Sequence, residues 1–294
     1  MLLKKNILLI KLECGLNMIV RNIQQKKKQE SELIIMGKVY AATDFHGCGS
    51  PAKKLLAYLK EDDKLYYLGD STDRGNDGVE LFEILTSDPR VIYLMGNHEQ
   101  LMLEGLKEVK KGSFGSNFRS WISNGGQHTF KDLDSKENAK KVDNIIKKIW
   151  DMSIKEEYHS PKGHIVILEH AGFSLGCEDY RFHDPLWDRE HFYDNWSDAP
   201  EDQNVYLVHG HTPVQYLQFH YGYRDQPPMS EKEMELKYTW DKVSTDYWQP
   251  EIIRYCDGHK FDIDLCTIAS NRVALLDLDT FEVTYFEGEC DKKK

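Results

Sequence analysis

From residue 36 onward, short apolar runs alternate with longer amphipathic ones. Residues 38–43 (KVYAAT), 64–68 (KLYYL) and 90–95 (RVIYLM) have the length and composition of buried strands. Each gives way to a polar loop: 44–49 after the first, Gly69-Asp70 after the second, Gly96-Asn97 after the third. Residues 51–60, 78–86 and 99–109 carry helical spacing, and Pro51 falls in a first turn, where its missing N–H is tolerated. Strand, polar loop and helix in repeated succession predict an α/β fold. Residues 112–160 depart from this pattern, being polar and helical in character, most clearly over 138–150. Residues 164–168 (HIVIL) and 205–208 (VYLV) predict two further strands, and 261–265, 273–276 and 283–286 a closing set. Residues 220–260 are rich in aromatic and acidic side chains and show no assignable period. No repeat of fixed length is present.

The 294 residues suit one large domain, read as 36–290 with variable insertions at 112–160 and 220–260. Residues 1–35 read as an extension without order, and Met36 as the natural start. The formal charge of −11 argues against a nucleic-acid coat. An acidic protein that handles an anion needs a local positive site, and bound metal supplies one. No run approaches the ~18 apolar residues of a membrane span. The six cysteines contain no C-x-x-C pair, and their scatter suits a cytoplasmic, reducing setting better than a disulfide scaffold.

The strand ends carry the chemistry. They deliver Asp44 and His46, then Asp70, Asp73 and Arg74, then Asn97 and His98, then His170, and last His209 and His211. Ligands of open α/β sheets bind beyond the carboxyl ends of the strands. Carboxylate and imidazole suit manganese, iron or zinc. Asp44 and His46 stand at i and i+2, which in an extended segment points both the same way. Asp70 has two oxygens with which to bridge two ions.

At these residues the sequence resembles the calcineurin-like metallophosphoesterases, and within them the phosphoprotein phosphatase branch. That family's D-x-H-G stands as Asp44-Phe45-His46-Gly47, its G-D-x-x-D-R-G as residues 69–75, its G-N-H-E as residues 96–99. Its later H-G-G appears as His170-Ala171-Gly172 and its G-H-T as Gly210-His211-Thr212. The resemblance implies a four-layer α/β/β/α sandwich with mixed sheets. It implies two divalent metal ions, manganese first, with iron, zinc or nickel as alternatives. Asp44, His46 and Asp70 would bind one ion; Asp70, Asn97, His170 and His211 the other. His98 would be the general acid, oriented by Asp73, and Arg74 would clamp phosphate oxygens. A second arginine is expected downstream, with Arg189 the candidate and Arg181 its competitor. The reaction implied is attack of a metal-bound hydroxide on phosphorus.

The implied substrate is a phosphorylated protein, as for a bacterial-type serine/threonine phosphatase. Alternatives are a dinucleoside polyphosphate or another small phosphate ester, and an inactive scaffold of the same fold. Thr43 and Ala171 stand where the family prefers glycine, and both are small. His209 lies outside the matched pattern and reads as a buried histidine with a partner. Cys48 reads as a small loop residue, Lys53 and Lys54 as a solvated helix face, and residues 121–126 (WISNGG) as a tight turn beside the site.

Overall fold

In the computed structural model, which describes residues 37–173, 184–189, 191, 203–216 and 249–290, burial follows the period of two expected of strands. Strand β1 (Val39–Ala42) sends Tyr40 and Ala42 to one side and Val39 and Ala41 to the other, each into a different apolar cluster. It is therefore an inner strand covered on both faces. It pairs in parallel with β2 (Lys64–Tyr67), which pairs in parallel with β3 (Val91–Tyr93). The crossovers are α1 (Gly49–Tyr58) and α2 (Gly78–Ser87).

Two antiparallel strands, β9 (Arg272–Asp277) and β10 (Val283–Glu287), complete a mixed sheet of order β10-β9-β1-β2-β3. A second mixed sheet runs β4-β5-β6-β8-β7, from Lys155–His159, Ile165–Glu169, Val205–His209, Lys260–Asp262 and Ile253–Tyr255 respectively. Leu68, Leu94 and Leu276 from the first sheet meet Val166, Leu168, Val208 and Phe261 from the second. The two sheets therefore pack face to face. Leu55, Leu81 and Leu85 of α1 and α2 close the outer face of the first sheet. This is the layered α/β architecture the sequence predicts.

The 112–160 excursion is helical as expected. After α3 (Asn97–Lys110) it comprises α4 (Ser116–Trp121), a π-helical turn (Ile122–Gly126), α5 (Gln127–Leu133), a 3-10 turn (Lys136–Asn138) and α6 (Ala139–Trp150). Trp121, Leu133, Ile145 and Ile149 pack it onto Phe82 and Leu106. Its end departs from expectation, because Lys155–His159 forms β4. A charged sequence is suited to an edge strand, where charge deters pairing with other chains, and it carries no apolar signal to read. Within 220–260, the described part forms β7 and the first residue of β8. A short helix α7 (Thr267–Ser270) precedes β9.

The cysteines correct the sequence reading. Cys48 and Cys290 form a disulfide across 242 residues. Local spacing cannot reveal this pair, because only the folded chain brings the loop after β1 against the segment after β10. Cys256 and Cys266 are buried. Residues 1–35 and Arg181 lie outside the described residues.

Candidate metal centre

Each predicted ligand sits where a strand ends. β1 leads to Asp44 and His46, β2 to Asp70, β3 to Asn97 and His98 in the first turn of α3, β5 to His170, and β6 to His211. Backbone hydrogen bonds tie the loops together. Asp44 N–H donates to the Gly69 carbonyl (3.0 Å), His46 N–H to that of Asp70 (2.9 Å), and Gly210 N–H to that of His170 (2.9 Å). The loops of the two sheets meet where His211 N–H donates to Asp44 Oδ2 at 3.1 Å.

These loops are strained. Among the described residues eleven non-glycine residues have positive φ, and six of them are Asp44, His46, Asp70, Asp73, Arg74 and His211. Such conformations cluster at functional sites, where the surrounding structure holds them in place. Asp44 and His46 therefore converge through a left-handed turn (φ 54° and 44°), not through the extended segment their spacing suggested. Gly69 shows the crowding. It has φ 105°, and a Cβ there would lie 2.5 Å from the Gly96 backbone.

Asp70 is the hub. Its Oδ2 lies 3.7 Å from His46 Nε2, 3.5 Å from His170 Nε2 and 4.0 Å from His98 Nε2. Asp44 Oδ1 is 3.6 Å from His46 Nε2. Asn97 Oδ1 is 2.9 Å from His170 Nε2 and 3.2 Å from His211 Nδ1. Two sets place ligand atoms within 4.8 Å of one another and share Asp70: His46 with His98, and Asp44 with His170. The six predicted ligands thus form one buried cluster, and His98 stands beside them.

The outer hydrogen bonds fix what the cluster presents. His46 Nδ1 donates to the Thr72 carbonyl (3.1 Å) and His170 Nδ1 to that of Leu68 (2.7 Å), so both Nε2 lone pairs point inward. The His170 lone pair then faces the Asn97 carbonyl oxygen, acceptor against acceptor. His211 Nε2 is buried with no hydrogen-bond partner. A cation between Asn97 Oδ1, His170 Nε2 and His211 Nδ1 removes that clash, and a mixed oxygen and imidazole set fits a divalent transition metal.

Electrostatics agree. Burial, with Asp264 as the next contributor, pushes the Asp44 carboxyl well above the usual range, and burial followed by Asp44 does the same to Asp70. Burial depresses His46 and His211, and takes His170 down to about 3. Such a cluster resists charge unless positive charge enters it.

His98 Nδ1 donates to Asp73 Oδ2 at 2.8 Å, as expected for an oriented imidazole, while burial lowers its pKa. Its Nε2 accepts from Arg74 Nη2 (2.9 Å), and Arg74 Nη1 reaches His46 Nε2 (2.7 Å). Arg189 lies at the rim, with Nη2 3.3 Å from the His211 carbonyl and Nε 3.3 Å from Thr212 Oγ1. His209 turns away from the cluster, its Nε2 2.7 Å from the Tyr255 hydroxyl.

Sequence reasoning gave no role to several residues that support this site. Glu99 is fully buried and accepts from the backbone N–H groups of Asp70 (2.7 Å), Ser71 (3.1 Å) and Gly96 (3.1 Å). Its place in G-N-H-E was the available signal. Thr43, expected only to be small, donates to Asp44 Oδ2 at 2.6 Å. Asp264, raised to about 6 by burial, bears on Asp44 from the loop after β8.

The model of the calcineurin-like phosphoesterases matches residues 37–243. The chain belongs to that family. No curated protein matches it in sequence. Among solved structures, this phosphoesterase is similar to a candidate diadenosine tetraphosphatase, with 13% identity, a TM-score of 0.51 and coverage of 87% of this chain and 95% of that one. It is similar to a cold-active protein tyrosine phosphatase, with 16% identity, a TM-score of 0.50 and coverage of 85% and 76%. A serine/threonine phosphatase from Saccharomyces cerevisiae aligns at 13% identity and TM-score 0.46, over 87% and 81%. At identities this low, the first two likenesses concern the fold alone.

Proposed function

We propose that this phosphoesterase hydrolyses phosphorylated serine and threonine residues of proteins at a centre of two divalent metal ions. The observation that carries the reading is Asp70 Oδ2 within 4.0 Å of three imidazole nitrogens that come from both sheets. Asp44, His46 and Asp70 would hold one ion, and Asp70, Asn97, His170 and His211 the other, with manganese the first candidate. Bound there, the ions supply Lewis-acid neutralisation of phosphate charge and an acidified water.

The chain's own groups do the rest. Asp73 holds the Nδ1–H of His98, so Nε2 faces the reacting centre and can carry a proton to the leaving oxygen. The Arg74 fork, which reaches the same space, would turn onto phosphate oxygens and release that Nε2. Arg189, at the rim beside His211 and Thr212, would be the second arginine. The complete G-D-x-x-D-R-G and G-N-H-E motifs support the phosphoprotein assignment.

The test is a panel on manganese-reconstituted protein: p-nitrophenyl phosphate, peptides bearing phosphoserine, phosphothreonine or phosphotyrosine, and diadenosine tetraphosphate. The highest kcat/KM is expected on phosphoserine or phosphothreonine. A preference for diadenosine tetraphosphate would reassign the substrate, and no turnover on any arm would favour a scaffold. Asp44→Asn and His98→Ala should each lower kcat by roughly 10²–10⁴-fold. An undiminished rate in His98→Ala would remove it as the acid.

A further inference from the structure

The helical insertion after α3 reaches back into the catalytic loops through two side chains. Trp121, at the end of α4, and Thr129, in α5, are both fully buried beside Asp73. Trp121 Nε1–H bridges both carboxylate oxygens of Asp73, at 3.1 Å and 3.0 Å. Thr129 binds the same residue twice. Its hydroxyl donates to Asp73 Oδ1 (2.7 Å) and accepts from Asp73 N–H (3.1 Å). Adding the His98 Nδ1–H, the carboxylate accepts from three side-chain donors, and the acid dyad's plane is set by the insertion.

The indole is itself held. Gly105 of α3 and Gly126 leave the room it occupies: a Cβ would fall 2.7 Å from its Cε3 at the first and 2.5 Å from its Nε1 at the second. The π-helical turn makes a further contact, since Gly125 (φ 106°) offers its carbonyl to Arg74 N–H at 2.9 Å.

We infer that Trp121 and Thr129 are positioning residues for proton transfer by His98, acting through Asp73. The inference rests on the reading of His98 as the general acid. Asp73 sits in a left-handed turn (φ 68°) that its own loop does not favour. A carboxylate held only by His98 could rotate about χ2, and Nε2 would lose its aim at the leaving oxygen. The two extra donors remove that freedom. A structural role alone would affect all substrates alike, whereas misplacing an acid harms only substrates whose leaving group needs the proton.

The test compares p-nitrophenyl phosphate, whose leaving group departs readily as an anion, with phenyl phosphate, whose leaving group does so less readily. Thr129→Val keeps the shape and removes both bonds, Thr129→Ser keeps them, and Trp121→Phe removes the indole donor. His98→Asn is the reference. In manganese-loaded protein, Thr129→Val should lower kcat on phenyl phosphate about tenfold more than on p-nitrophenyl phosphate, with KM little changed. Thr129→Ser should restore the wild-type ratio, and Trp121→Phe, if it folds, should follow Thr129→Val. In metal-free protein, the low-field imidazole N–H proton resonance assigned by its loss in His98→Asn should shift in Thr129→Val. A uniform loss across both substrates, or an unmoved resonance, overturns the positioning role while leaving His98 as the acid. A His98→Asn enzyme with no leaving-group dependence removes the acid assignment, and the inference with it.

Discussion

Single residues in this site hold positions that an isolated chain would avoid. A left-handed conformation costs a non-glycine residue about 1–2 kcal/mol, and Asp44, His46, Asp70, Asp73, Arg74 and His211 all adopt it. Glu99 and the inter-loop hydrogen bonds hold them there. The same residues make stability depend on pH and metal together. Asp44 and Asp70 have folded pKa values above their unfolded ones, chiefly through burial. Their protonated forms therefore stabilise the metal-free fold below an unfolded value near ~3.9, and that stability is lost as pH rises through the folded values. A cation offsets the loss, and binding it releases protons. The rise in Tm on adding manganese to metal-free protein should therefore grow between about pH 5 and pH 8. It should nearly vanish in Asp70→Asn. Thermal melts across that range check it, and a gain independent of pH would contradict it. The candidate ligands were legible in the sequence because each sits in a short motif at a strand end. Asp264 and Thr129 were not, because they reach the centre from elements that only tertiary packing brings near; the 121–126 segment was read as lying beside the site, but not the bond from Trp121 to Asp73.

Elements read from periodicity came out where the signal was intrinsic. β1, β2, β3, β5, β6, β9 and β10 were visible as apolar runs, and α1, α2 and α3 as amphipathic ones. α3 begins at Asn97 and not at Glu99, because the N–H of His98 finds the Asp70 carboxylate at 2.9 Å and extends the helix into the motif. β4 and β7 were missed for a common reason: one is a charged edge strand and the other three residues long, so pairing with a neighbour makes them strands. The elements are also joined end to end. Arg90, before β3, donates Nη1 to the Leu59 carbonyl (2.7 Å) and Nη2 to that of Leu56 (3.3 Å), capping the end of α1. Asp88 grips the same guanidinium at 2.6 Å. Arg90→Ala should cost about 1–2 kcal/mol, seen as a lower urea midpoint with kcat of the manganese enzyme preserved.

At the scale of the whole molecule, a covalent link joins distant parts. The Cys48–Cys290 disulfide closes a loop of 242 residues. In the chain-entropy picture a loop this long is worth up to about 5 kcal/mol. Cys290→Ser, or reduction by dithiothreitol, should therefore lower Tm by several degrees, and coincident melts with and without reductant would refute that. The cluster itself is divided between the layers. The first sheet supplies Asp44, His46, Asp70 and Asn97, and the second supplies His170 and His211. The centre therefore works like the jaws of a vice. Shifting one sheet over the other by an ångström would part the two half-sets of donors while leaving each loop intact. Turnover then gauges how the two halves are seated, and a bulky replacement at Ala41, buried deep between them, would be felt in the chemistry as well as in the folding.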